Sequence, residues 1–245
     1  MKPLTLTLAG LLSASGHQPA RFEILPHYPP ALQHLKELST TNDNNSRSLS
    51  GKHHHGHHHH HRHGVSSNSS SYVLAVPLSY DNPSSEWFNI RYFVDSITAF
   101  DGSDEAPIMV NMGGEGPETA VHCSSDMIAN NAICVQVEHR FYGESLPVAG
   151  NGGISTDNYK KGLTVEANLA DTAAVIEMVQ EMYPIKSGNN KRPVLNFGGS
   201  YSGATCTWFR MKYPDLTAAC VSSSGVVNAI FNYVEFNQVI SEGKS

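Results

Sequence analysis

The stretch PVLNFGGSYSGATCTWFRMKYP, from Pro193 to Pro214, leaves few folds open to this chain. A short apolar run, Val194 to Phe197, passes through Gly198 and Gly199 into a helix-forming segment that Pro214 stops. No residues remain for a connecting loop, so strand must become helix at a single sharp bend. Such a bend strains its central residue and crowds the positions two before and two after it, which must be small. Centred on Ser200, those positions are Gly198 and Ser202. Centred on Ser202, they are Ser200 and Ala204, which also fit, but Ser202 then lies a turn inside the helix. Ser200 is therefore the candidate nucleophile, with Ser202 in place of the usual last glycine. Gly203 and Ala204 are small enough to let the helix lie close on its sheet.

The surrounding pattern is α/β. YVLAVPLSY and WFNIRYFVD read as short strands joined by the turn-prone DNPSS. PIMVNM and AICVQVE are further apolar strands, and AACVSSS follows the helix. Between them, Leu163 to Tyr183 carries Val165, Leu169, Ala173, Ile176 and Val179 at helical spacing. Glu166, Asp171, Glu177 and Glu181 fall off that stripe. Strands alternating with helices predict a mostly parallel sheet.

The first seventy or so residues have another texture. MKPLTLTLAGLLSASG, residues 1–16, has a basic start, a short apolar run and small residues at its end, as a signal peptide does. Residues 17–71 are rich in Ser, Asn and His and read as a disordered linker or propeptide. They hold nine histidines between His53 and His63, which suit weak, unselective metal capture rather than a dedicated metal site. Asn44 and Asn68 head glycosylation sequons, usable on the secretory route. That route also permits disulfides among Cys123, Cys134, Cys206 and Cys220, with three pairings open. The net charge is −6, with no Lys/Arg cluster, which argues against nucleic acid as a partner. No apolar run approaches the roughly 20 residues of a membrane span.

Two further stretches bear on chemistry. NMGGEGP follows a strand directly, and its glycines, Gly114 among them, expose backbone N–H groups. With the N–H of Tyr201, the residue after the candidate nucleophile, Gly114 is a candidate oxyanion donor. EHRFYGESLP also lies at a strand's C-terminal end. His139 precedes the serine, against the usual order Ser, Asp or Glu, then His. Glu138, His139, Arg140 and Glu144 are instead expected to form an ion-paired network bracing the site.

VPLSYDNPSSEWFNIRYFVD, GGEGP, EHRFYGESLP, LTVEANLAD and FGGSYSGA with FRMKYPDL together resemble a family of serine peptidases. That family includes lysosomal Pro-X carboxypeptidase, dipeptidyl peptidase II and thymus-specific serine peptidase. The resemblance implies an α/β-hydrolase domain with a helical cap, secreted or in lysosomes or vacuoles. It implies hydrolysis of peptides after proline, with Ser200 as nucleophile and Tyr201 at the oxyanion position. Whether trimming runs from the C-terminus or after an N-terminal X-Pro stays open.

The chain ends 45 residues past Ser200, where such peptidases continue through the cap and the strands bearing the triad Asp and His. The acids after Ser200 are Asp215, Glu235 and Glu242, and Asp215 lies at the far end of the elbow helix. Residues 72–245 are thus expected to be the N-terminal part of the domain, with cap and C-terminal strands absent and the chain inactive alone. Acyl-enzyme chemistry calls for no cofactor, and the expected partner is a peptide substrate. The alternatives are a non-catalytic secreted binding protein with a metal-binding His tract, and an esterase or lipase of the same fold.

Overall fold

The computed structural model describes residues 68–82, 86–147, 153–187 and 191–243. The expected signal peptide, nearly all of the linker, the His tract and Asn44 lie outside these residues. Among the described residues six strands form one sheet: β1 (Ser70–Pro77), β2 (Trp87–Asp95), β3 (Ile108–Met112), β4 (Ile133–Val137), β5 (Val194–Gly199) and β6 (Ala219–Ser223). Their spatial order is β1-β2-β4-β3-β5-β6. β1 and β2 form an antiparallel hairpin, and β2 runs antiparallel to β4. β4, β3, β5 and β6 are parallel.

Among the described residues five helices accompany the sheet: α1 (Ser125–Ala129), α2 (Thr156–Gly162), α3 (Val165–Met182), α4 (Ser200–Lys212) and α5 (Val234–Glu242). The sequence pattern announced α3 and α4; α1, α2 and α5 are short and were not foreseen. Ser124, Ser155 and Thr164 cap α1, α2 and α3 by accepting a backbone N–H three residues on.

Alternation along the strands divides the core. Ile90, Val110, Val135 and Val194 face α3 and α4 with Leu169, Ile176, Cys206 and Phe209. Phe93, Met109 and Cys134 face the other way, against Val121 and Met127. α3 is the central helix, and it is buried almost all round, including Asp171 and Glu177 from off its apolar stripe. The four cysteines form Cys123–Cys134, tying the segment before α1 to β4, and Cys206–Cys220, tying α4 to β6.

β6 is a sheet edge, and among the described residues nothing pairs its outer side. Beyond it the surface is apolar: Phe231 is 94% exposed, and Phe236 and Val239 on α5 also face solvent. Among the described residues no helix is long and apolar enough to cross a membrane.

Candidate active site

β5 ends at Gly199 and α4 begins at Ser200, so the bend inferred from sequence is present. Ser200 takes φ +55°, in the left-handed region. For a residue with a Cβ this conformation costs roughly 1–2 kcal/mol and needs surrounding structure to impose it. The imposition comes from crowding. A Cβ on Gly198 would overlap the Ser202 carbonyl, and one on Gly203 would sit 2.9 Å from the Gly225 Cα and 3.0 Å from the Ser223 carbonyl.

The two serines have different surroundings. Ser200 is exposed at the tip of the bend. Ser202 is 7% exposed, and its Oγ accepts from the Gly199 N–H at 3.1 Å and donates to the Gly199 carbonyl at 2.9 Å. Its hydroxyl is thus spent closing the turn.

The diglycine loop leaves β3 beside this bend. A Cβ on Gly113 would overlap the Val137 carbonyl and lie 2.8 Å from the His139 nitrogen, whereas one on Gly114 would meet only the Ser202 Oγ at 4.0 Å. Gly113 presses the loop onto the end of β4, and Gly114 faces the bend. The Tyr201 N–H lies in the first turn of α4, where backbone donors have no intrahelical acceptor. A cleft of about 420 Å³ is lined by Gly114, Gly198, Gly199 and Ser202 and runs down the sheet past Asn111 and Gln136. Glu118 also lines it, its carboxyl raised by burial and by the nearby Glu138 charge. Ser200 stands outside the cleft lining, on the exposed side of the bend.

The segment after β4 braces this arrangement, but not as the single network expected from sequence. Each charged residue has its own partners. Glu138 is fully buried and accepts from Arg91 Nη2 at 2.7 Å, the Glu118 N–H at 2.9 Å and the Ser145 hydroxyl at 2.7 Å. Burial alone would raise its carboxyl, but hydrogen bonds from Arg91 and Ser145 outweigh it and hold the pKa below its ordinary value. Arg91 also pairs with the exposed Glu144 at 2.7 Å.

Arg140 turns instead to α3. Its Nε and Nη2 meet the two Asp171 oxygens at 2.7 Å each. Its other N–H groups reach the carbonyls of Leu78, Gly162 and Pro77. His139 joins neither pair. Its Nδ1 lies 2.6 Å from the Arg140 carbonyl and its Nε2 lies 3.0 Å from the Tyr201 hydroxyl. Burial lowers the His139 pKa and pushes that of Tyr201 up to about 12. Arg91 and Asp171 were missed as members of the site's support. Asp171 had a signal: an acid set within the apolar run LADTAAV must find a cation if that helix is buried.

The serine carboxypeptidase S28 family matches residues 79–244, from just after β1 to the end of α5. This chain belongs to the serine carboxypeptidase S28 family. Human thymus-specific serine protease is 32% identical over 160 residues, covering 63% of this chain and 28% of that protein. Human lysosomal Pro-X carboxypeptidase is 38% identical over 96 residues, covering 39% of this chain and 18% of that protein. This S28 chain spans about a third or less of the length of the curated relatives it matches. Its elbow at the end of β5, in a parallel run flanked by an antiparallel hairpin, makes the described part an α/β-hydrolase fold. Among the described residues, no group of His, Cys, Asp and Glu is arranged to hold a metal.

Proposed function

We propose that this chain carries the nucleophile and oxyanion parts of a serine exopeptidase that cleaves peptides after proline. Ser200 Oγ attacks the scissile carbonyl and gives its proton to a base, which passes it to the departing amine. Water then releases the acyl group by the reverse steps. The Tyr201 and Gly114 amides hold the developing oxyanion, each worth about 3–4 kcal/mol in the transition state. Membership of a serine peptidase family supports the chemistry, and a relative named Pro-X carboxypeptidase supports proline as the residue read.

The observation that carries the assignment is the division of labour at the bend. Ser200 is exposed at φ +55°, whereas the Ser202 hydroxyl is bound to both backbone groups of Gly199. Among the described residues the histidines are His122 and His139, and both ring nitrogens of His139 are engaged. We place the general base and its acid outside the described residues, and propose that the chain alone is inactive. Two disulfides and the names of the extracellular and lysosomal relatives support a secretory or lysosomal route. On that route Asn68, which is exposed, accepts a glycan; Asn44 is the second proposed acceptor.

The test is labelling by a fluorophosphonate, with the modified residue mapped by mass spectrometry. The chain alone stays unlabelled. Joined to the C-terminal part of a full-length S28 relative, the chain labels at Ser200 and hydrolyses X-Pro peptides. Ser200→Ala abolishes the label and Ser202→Ala keeps it. A label on Ser202, or none in the joined protein, overturns the assignment.

A further inference from the structure

His139 carries the one buried imidazole among the described residues, and the residue meets both sides of the candidate oxyanion site, Tyr201 by its ring and Gly113 by its backbone. Its Nδ1 is 2.6 Å from the Arg140 carbonyl. A carbonyl only accepts, so Nδ1 carries the hydrogen, and in the neutral ring Nε2 is left as an acceptor. The group within reach of Nε2 is the Tyr201 hydroxyl at 3.0 Å, which therefore donates. The Tyr201 ring lies against the imidazole at 5.5 Å between centroids, and Tyr142 closes its edge at 5.2 Å. On the other side, the His139 backbone nitrogen is so close to Gly113 that a Cβ there would crowd it at 2.8 Å, which fixes the start of the Gly114 loop. Arg140, whose carbonyl sets the tautomer, is itself held by five hydrogen bonds.

We propose that His139 is a positioning residue that, in its Nδ1–H form, tethers the Tyr201 side chain and so fixes where the Tyr201 amide points. This rests on the reading of Tyr201 as an oxyanion donor given above. A helix's first turn frays easily because its donors have no intrahelical partner. Tyr201 is in that turn, and its side chain reaches back to the β4 loop through His139. His139 thus supplies the rigidity that an amide with no partner of its own lacks.

The test uses the ¹⁵N-labelled 245-residue chain and needs no catalysis. Long-range proton–nitrogen spectra report the His139 tautomer, and relaxation reports the order parameter of the Tyr201 amide. The expected result is an Nδ1–H tautomer and an order parameter of about 0.85, as in rigid backbone. Tyr201→Phe, which keeps the ring and the amide, lowers the order parameter below about 0.6. His139→Leu does the same, the double variant is no worse than either single, and His139→Gln, which retains an acceptor, restores order. An Nε2–H tautomer, or an unchanged amide in Tyr201→Phe, overturns the tether. Should His139→Leu fail to fold, Tyr201→Phe still decides. Failure of Ser200 to react with the fluorophosphonate in the joined protein is a separate result, which refutes the acyl-enzyme reading and leaves the tether standing.

Discussion

Asp171→Asn tests the bracing of the site most directly. Asp171 is 1% exposed and accepts three hydrogen bonds: two from Arg140 at 2.7 Å and one from the Tyr80 hydroxyl at 2.8 Å. Asparagine keeps the shape but removes the charge and turns one acceptor into a donor facing a donor. In the parent, burial favours loss of the Arg140 proton but the Asp171 charge more than offsets that; in the variant the fully buried guanidinium, which keeps its charge in proteins, loses that partner. Breaking a buried pair from one side costs about 3–5 kcal/mol. Since Asn retains one acceptor oxygen, the low end applies, about 3 kcal/mol. With a urea slope of about 2 kcal/mol/M, the unfolding midpoint should fall by about 1.5 M. The assay is urea unfolding followed by circular dichroism and by Trp87 and Trp208 fluorescence. Glu177→Gln on the same helix is the control. Its partner Lys191 is half exposed, so that pair is worth less than about 1 kcal/mol. Replacing Arg140 by Met and Asp171 by Leu together should cost less than Asp171→Asn alone, because no charge is then stranded. A shift in Asp171→Asn no larger than in the control, at unchanged slope, refutes the reasoning.

Three further outcomes follow from the same geometry. Gly198→Ala should destabilise by about 1–3 kcal/mol through overlap with the Ser202 carbonyl. Gly199→Ala, whose Cβ would meet only the Ser223 carbonyl at 3.9 Å, should lie within about 0.5 kcal/mol of the parent, and urea midpoints compare the two. Stability should fall in two pH windows. Burial lowers the His139 pKa, against the Arg140 carbonyl and the Asp171 and Glu115 charges and with the Arg140 charge, so the unfolded chain takes up its proton first. That contribution declines as pH drops from about 6.5 towards the lowered folded value, and His139→Gln removes it. The Glu138 pKa is also lowered, so its contribution is full above about 4.3 and disappears as pH falls through the folded value; titration of the urea midpoint resolves both. Removing Cys206–Cys220, which spans 14 residues, with paired alanines should cost about 3 kcal/mol, read as a lowered Tm that reducing agent does not lower further at this bond.

Much of this was legible because it is local. The bend at Ser200 is written in the sizes of Gly198, Ser202 and Gly203, each needed by atoms within a few residues or in the adjacent strand. β2 was bounded correctly because WFNIRYFVD is a run of aromatic and β-branched residues, of which Phe88, Ile90 and Tyr92 are buried while Asn89 between them is exposed. The short helices carried too few turns for a period to register, and α5 has an apolar pattern with no buried residue to account for it. The partners of EHR were not legible for another reason. Glu138, His139 and Arg140 are adjacent in sequence, so a network among them looked economical. At the C-terminal end of a strand, successive side chains diverge. Glu138 turns to Arg91, 47 positions away, Arg140 to Asp171, 31 away, and His139 to Tyr201, 62 away. Three residues in a row thus tie β4 to β2, to α3 and to the elbow helix. Charge and burial demand that such groups find partners, but only the packed sheet decides which. Each loss should therefore loosen a different neighbour of Ser200. Arg140 variants should act on α3, Glu138 variants on the loop at Glu118, and His139 variants on the Tyr201 amide.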